Sequence, residues 1–291
     1  MPISEHPSFA RPPITTRLWR YTDLPKFVDL LTTQRLWLTN LEVLAVDDPY
    51  EGAPWALRFP HRMWNHIDKV PEVLKKQIIQ IYGKKSDTSS EQAFRSWYMI
   101  QEQQCIMEES GRRDFYVSCW HAADHESVAM WKIYGSPGAG VAVVTNGARM
   151  GAAIDKSPKQ YYLGAVRYVE PSALAIGMSN AFDPVLVKRA NYQYEQEVRL
   201  VHWDTEDIHD ALANFTWNED TMRCENLIED ARPLIPGVHV DCEIGTLIER
   251  VIVSPFAPKW YKPMLMELRD KLNFNFEIDE SKLLSPAPVP S

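Results

Sequence analysis

Tyr192-Gln-Tyr-Glu-Gln-Glu-Val-Arg-Leu-Val201 sets two carboxylates, Glu195 and Glu197, two positions apart at the start of a strand-like run. Residues i and i+2 of a strand share a face. Both glutamates and Arg199 are therefore expected on one side of a sheet. Like charges on one face repel, and Tyr192, Tyr194 and Trp203 around them point to partial burial. The stretch reads as a sheet strand and as the candidate active site. The plainer alternative is a surface face on which Arg199 and Lys188 neutralise the pair.

Outward from this strand, short apolar runs at 17–21, 35–39, 115–120, 140–145, 161–170, 250–254 and 273–278 read as further strands. Thr22 or Asp23 caps a helix with Pro25 in its first turn and Phe27, Leu30 and Leu31 on one face. Asp124 is expected to cap a helix carrying Val128, Trp131 and Tyr134. Residues 61–108 read as helical, with a polar break at 83–90. Helical character is also expected up to Ser179, over 184–190 and over 258–273. Residues 204–236 read as loop with one short helix. Several successive strands lack a connecting helix of the usual length, which favours an α+β domain with a mixed central sheet and flanking helices. The expected organisation is a loose tail at 1–16, one domain at 17–284 with a helical insertion at about 61–108, and a flexible proline-rich tail at 285–291. Gly135-Ser-Pro-Gly-Ala-Gly140 lacks the Lys-Ser/Thr of a phosphate loop and reads as a turn.

The formal net charge of −8 over 291 residues disfavours non-specific binding to nucleic acid. No apolar run approaches the roughly 18 residues of a membrane span, and the first residues carry no apolar signal core. Cys105, Cys119, Cys224 and Cys242 are scattered and read as reduced thiols of a cytoplasmic protein. Asp47, Asp48 and Glu51 share one loop and would suit a hard cation; a turn in which Glu51 meets an arginine explains them as well. Cys119, His121 and His125 have no evident fourth zinc ligand. Trp120, Trp131 and Tyr134 read mainly as core, with one of them available to line a cleft.

The ordered motifs Leu18-Trp-Arg-Tyr21, Leu36-Trp-Leu-Thr-Asn40, Asp48-Pro-Tyr-Glu51, Ser118-Cys-Trp-His121, Met130-Trp-Lys-Ile-Tyr-Gly135, Gly140-Val-Ala-Val143, Tyr194-Glu-Gln-Glu-Val-Arg199 and Val251-Ile-Val-Ser-Pro255 resemble the bacterial domain-of-unknown-function 2971 family over about residues 17–280. That series in turn remotely resembles the ADP-ribosyltransferase fold. The resemblance implies NAD as cofactor, no metal, and a protein or nucleic-acid acceptor with no membrane partner. It implies that Arg20, or Tyr21 beside it, holds the ribose or phosphate, and that Ser118 or Thr39 frames the nicotinamide pocket. Glu197 would be the catalytic carboxylate and Glu195 the acceptor-side residue. Arg199 is either a neutraliser of the pair or a phosphate ligand. Two other classes compete: a metal-dependent phosphodiesterase or nuclease built on Asp47, Asp48 and Glu51 with Glu197, and a non-enzymatic binding module of a defence or toxin system.

Overall fold

A computed structural model describes residues 3–54, 60–83, 89–136, 138–170 and 180–284. The expected helical stretch at 171–179, the tail at 285–291 and most of the polar break at 83–90 lie outside them.

The chain is a mixed α/β structure. Its strands are β1 (Ile3–Ser4), β2 (Arg17–Asp23), β3 (Arg35–Asn40), β4 (Phe115–Ala122), β5 (Gly140–Asn146), β6 (Tyr161–Ala165), β7 (Arg167–Val169), β8 (Val187–Arg189), β9 (Glu197–Trp203), β10 (Thr216–Asn218), β11 (Arg223–Glu225), β12 (Gly237–Asp241), β13 (Arg250–Val253) and β14 (Glu277–Glu280). Its helices are α1 (Leu24–Thr33), α2 (Leu41–Leu44), α3 (Glu72–Tyr82), α4 (Ser90–Gly111), α5 (Val128–Ile133), α6 (Gly147–Ala153), α7 (Ile244–Leu247) and α8 (Tyr261–Lys271). Among the described residues no helix is long and apolar enough to cross a membrane.

Ten strands form one sheet in the order β1-β6-β9-β4-β2-β5-β13-β14, with β3 also on β4 and β12 on β3. The β1–β6 and β13–β14 pairs are parallel; the other ladders of this sheet are antiparallel. The sheet forks at β4. One edge of β4 pairs along its length with β9, Phe115 facing Trp203 and His121 facing Glu197. The other edge is divided: β2 pairs near the C-terminal end, through Leu18 and Trp19, and β3 near the N-terminal end, through Thr39 and Asn40. The slot between β2 and β3 is central to the site.

One face of the sheet buries the main core. Phe27, Leu30 and Leu31 of α1, Met150 of α6, Leu247 of α7 and Leu265 of α8 pack there against Leu18, Val143, Leu200 and Val251. Helix α1 forms as its sequence dictates. Asp23 accepts a hydrogen bond from the Lys26 N–H (2.9 Å), and the apolar residues recur at helical spacing. The opposite face carries two separate clusters, one around Val117, Leu41, Val185 and Val201 and one around Trp19, Tyr21, Met130 and Trp131. A fourth cluster lies in the helical region, where Ile78 of α3 packs on Phe94, Trp97 and Tyr98 of α4.

Several expectations need correction. Residues 3–16 are not loose over their length: Ile3 and Ser4 pair with β6, and Phe9 is buried against Phe182 and Tyr162. The run at 161–170 is two strands. β6 follows β9 until the Val166 N–H bonds the Glu197 carbonyl; beyond that point β9 has ended, and β7 pairs with β8 instead. Residues 184–190 hold a single 3-10 turn at Pro184–Leu186 and then β8. Ser127, not Asp124, caps α5. Within 204–236 the chain forms the β10–β11 hairpin.

Candidate functional site

Glu195 and Glu197 are not successive same-face residues of one strand. Glu195 ends a 3-10 turn (Ala190–Glu195), Gln196 is left-handed (φ 41°, ψ 51°), and Glu197 opens β9. The turn is anchored where the Gln196 carbonyl accepts from the Ala122 N–H. The carboxylates nevertheless converge. Lys188 Nζ of β8 lies 2.6 Å from Glu195 Oε2 and 3.3 Å from Glu197 Oε2, and 3.7 Å from Glu51 Oε2. Arg199 donates to Glu197 through Nε (2.7 Å) and Nη2 (3.2 Å), and its Nη1 donates to the Val185 carbonyl (2.6 Å). Arg199 Nη1 also lies 2.6 Å from Glu51 Oε1, an ion pair whose angles do not make a hydrogen bond.

Four of the five groups are buried, and Lys188 is nearly so. Arg199 is 0% exposed, and Glu51, Glu195 and Glu197 are buried. Three carboxylates thus share two cations on the sheet face between the two smaller apolar clusters. Burial alone would raise the pKa of Glu197. The charges of Arg199 and Lys188 outweigh it and hold the carboxyl well below its ordinary range. Burial likewise opposes charge on Lys188 and Arg199, and the neighbouring glutamates raise both above their ordinary values. The surface alternative therefore named the right partners, Arg199 and Lys188, in the wrong environment.

Further groups fix the cluster. Tyr134 O–H donates to Glu195 Oε1 (2.6 Å), the His121 ring donates from Nδ1 to the Glu195 carbonyl (2.6 Å), and the Tyr168 hydroxyl accepts from the Glu197 N–H (2.8 Å). Cys119, cross-strand from Arg199, is a thiol whose pKa is pushed well up, by burial first and then by the Glu197 charge. That is the reverse of an activated nucleophile. Tyr168 carries no motif in the sequence, and its role follows only from the β7–β8 pairing.

A cavity of about 290 Å³ opens onto this cluster. It is lined by Glu195, Glu197 and Arg199, and also by Arg20, Tyr21 and Thr39. By register Arg20 and Ser118 lie on the sheet face of Leu18, Val143 and Leu200, opposite that of Glu197 and Arg199, so Arg20 borders the cavity from the slot between β2 and β3. Ser118 does not line it. Its hydroxyl accepts from Arg20 Nη1 (2.7 Å) and from Trp120 Nε1 (3.0 Å), so it positions Arg20 from behind. Arg20 also donates to the Trp37 carbonyl of β3 (3.3 Å) and lies over the Trp120 ring at 5.7 Å. It staples the fork between β2 and β3. The acidic residues nearest it in the motif series are engaged elsewhere: Asp23 pairs with Lys26, and Glu51 with Arg199 and Lys188. Among the described residues no carboxylate reaches Arg20, and burial lowers its pKa from the ordinary arginine value. Thr39 accepts from Trp37 Nε1 (3.1 Å), and the Tyr21 hydroxyl accepts from the Ser127 N–H (2.8 Å).

The acidic loop forms another wall. Asp48 Oδ1 accepts from Arg189 Nη2 (2.7 Å) and the Tyr50 N–H (3.2 Å), and the Arg189 guanidinium lies over Tyr50 and Tyr192 at 4.9 and 5.4 Å. Asp47 is exposed. Among the described residues no group of three or more His, Cys, Asp or Glu side chains has the arrangement of a metal site. His121, one of the zinc candidates, is engaged with the Glu195 backbone. All four cysteines are free thiols. No family model, curated protein or solved structure matches the chain.

Proposed function

We propose that this cavity binds a nucleotide-like ligand, that the ligand is NAD, and that ADP-ribose is transferred from it to an acceptor. The observation that carries this reading is Arg20. A guanidinium stays charged in proteins, and one held by a hydroxyl and a carbonyl alone, on the wall of a cavity, lacks a counter-charge. An anionic group such as a phosphate supplies it, with N–H donors left over for the purpose.

Glu197 lines the same cavity. Breaking the bond between nicotinamide nitrogen and ribose builds positive charge on the sugar. A fixed carboxylate stabilises that charge without reorganising. Arg199 and Lys188 keep Glu197 ionised and in place; Glu195, tied to Tyr134 near the mouth, takes the acceptor side. The order of Arg20, Ser118 and Glu197 along the chain, which resembles that of the ADP-ribosyltransferases, supports the same reading.

The test is calorimetric titration of NAD and ADP-ribose, with and without Mg²⁺, followed by assay of nicotinamide release. Glu197→Gln is expected to lower the release rate on the order of 100-fold or more, with NAD affinity changed far less and a cooperative unfolding transition retained. Undiminished release by this variant, or a wild-type protein that does not bind NAD, overturns the proposal.

A further inference from the structure

The net charge of this chain is not spread evenly. Between 204 and 232 Asp and Glu occur nine times and Lys and Arg twice, so this stretch carries seven of the chain's eight net negative charges. Both arginines are already engaged. Arg223 lies 3.7 Å from Glu102, and Arg232 lies 3.0 Å from Asp114 and 2.7 Å from Asp230. Of the nine acids, ion pairs among the described residues reach Glu219 and Asp230 alone.

The start of this stretch borders a groove of about 530 Å³ that shares no lining residue with the cavity. Helix α4 supplies one wall with Ile100 and Met107, two turns apart and 40% and 61% exposed. Ile208, 48% exposed, stands on the other. The base is apolar: Phe115 of β4 stacks on Trp203 of β9 at 5.5 Å, beside Val185. Glu108, Asp114 and Asp210 line the groove, and no lysine or arginine is among its described lining residues.

Large aliphatic side chains left in water around an aromatic base mark a surface that a partner covers. Charge decides which partner. A second copy in a two-fold contact would set the acidic stretch against itself. Nucleic acid and an anionic lipid surface would meet the same repulsion. A basic protein segment meets the opposite sign. An apolar groove offers few partners to an exposed backbone, so the segment that fits satisfies its own N–H and C=O groups, as a helix does.

We propose that the groove between α4 and residues 208–211 docks a basic amphipathic helix of another protein. Its apolar face rests on Ile100, Met107 and Ile208, and its Lys and Arg side chains turn toward Asp204, Glu206 and Asp207.

Fluorescence anisotropy with labelled peptides tests this: one of Leu-Lys-Lys-Leu units, one of Leu-Glu-Glu-Leu units and one of Ser-Lys-Lys-Ser units. The wild-type protein is expected to bind the first about tenfold or more tighter than either of the others. Met107→Arg and Ile208→Arg place cations at exposed apolar positions. Each is expected to weaken that peptide about tenfold or more, with the melting temperature unchanged. Glu206→Lys combined with Asp207→Lys is expected to weaken it likewise and to reduce the loss of affinity on adding salt. No binding of the Leu-Lys-Lys-Leu peptide, equal affinity for either of the other peptides, or wild-type affinity in both arginine variants overturns the proposal. So does a dimer in sedimentation equilibrium that Met107→Arg dissociates, because a second copy is then the occupant.

Discussion

Two of the buried ionic clusters among the described residues are built on opposite plans. On the sheet, three carboxylates share two cations beside a cavity. In the helical region, one carboxylate, Glu102, is shared by three basic groups: His61 Nε2 at 2.6 Å, Arg62 through Nε at 2.9 Å, and Arg223 at 3.7 Å. Both keep their carboxylates out of solvent. They differ in what is left over. The helical cluster packs under Tyr98, whose ring meets His61 at 4.7 Å, and its two arginines are partly exposed to solvent, as in a clamp between turns and helices. The sheet cluster carries an excess of like charge against an open space, and that excess is hard to explain by stability alone.

The largest expected effect tests whether the sheet cluster is also structural. Arg199→Met removes the one cation that is 0% exposed among the described residues and leaves Lys188 alone with Glu51 and Glu197. Removing one partner of a buried pair typically costs about 3–5 kcal/mol. Urea denaturation of this variant is expected to show a loss in that range. A loss below about 1 kcal/mol would mean that Lys188 alone balances the carboxylates and that Arg199 is there for a ligand.

The sheet cluster was half legible in the sequence, and the helical one was not. Glu195, Glu197 and Arg199 stand in one short motif, where charge spacing alone raises the question. Arg20 and Ser118 could be attached to it through the order of motifs. Glu51 stands in an acidic loop, and the reading in which it meets an arginine holds, with Arg199. Its partner Arg199 lies far along the chain and reaches it only because α2 and the following turn pack over β4 and β9. Glu102 sits mid-helix in a polar sequence with nothing to mark it as buried. Its partners His61, Arg62 and Arg223 come from a 3-10 turn and a hairpin that carry no periodic signal. The expected strands 17–21, 35–39, 140–145 and 250–254 match β2, β3, β5 and β13 to within two residues, because alternation and apolar runs are local properties. β12 carries only Val238 and Val240 between Gly237, His239 and Asp241, too little apolar sequence to mark a strand, and it lies on the sheet margin beside β3.

Titration separates the clusters next. Burial would raise the pKa of Glu102, but hydrogen bonds from His61 and Arg62 pull it down to about 2. An unfolded glutamate titrates at about 4.3. The stability from this carboxylate is thus complete above about pH 4.3 and is lost as pH falls toward 2. Burial also lowers the pKa of His61, so its contribution is present above about pH 6.5 and is lost on acidification. The sheet cluster shares the acid edge through Glu197, whose carboxyl is likewise held low, and adds one on the alkaline side. Lys188 has a raised pKa, and its contribution holds below about pH 10.4 and is lost above it. Glu102→Gln is expected to cost about 1–3 kcal/mol at pH 7, because Arg62 and Arg223 are partly exposed and can rehydrate. It should also flatten the acid limb of a stability–pH curve while leaving the alkaline limb unchanged. An unaltered acid limb would assign the acid sensitivity to the sheet cluster.

The smallest effects are the sharpest discriminators. In each cluster a tyrosine hydroxyl meets a charged side chain: Tyr134 O–H donates to Glu195 Oε1, and the Tyr98 hydroxyl accepts from Arg223 Nη1 at 3.1 Å. Phenylalanine at either position removes one hydrogen bond and keeps the ring, a cost of about 1 kcal/mol. In stability the two variants should be nearly indistinguishable. In ligand handling they should part. Tyr134 lines the cavity and is 45% exposed at its mouth, so Tyr134→Phe frees Glu195 to reorient and should weaken NAD binding or nicotinamide release several-fold. Tyr98 belongs to the helical clamp, and Tyr98→Phe should leave both as in the wild type. Equal effects of the two variants on ligand handling would mean that the helical cluster reaches the cavity after all, and the division between a clamp and a site would fall.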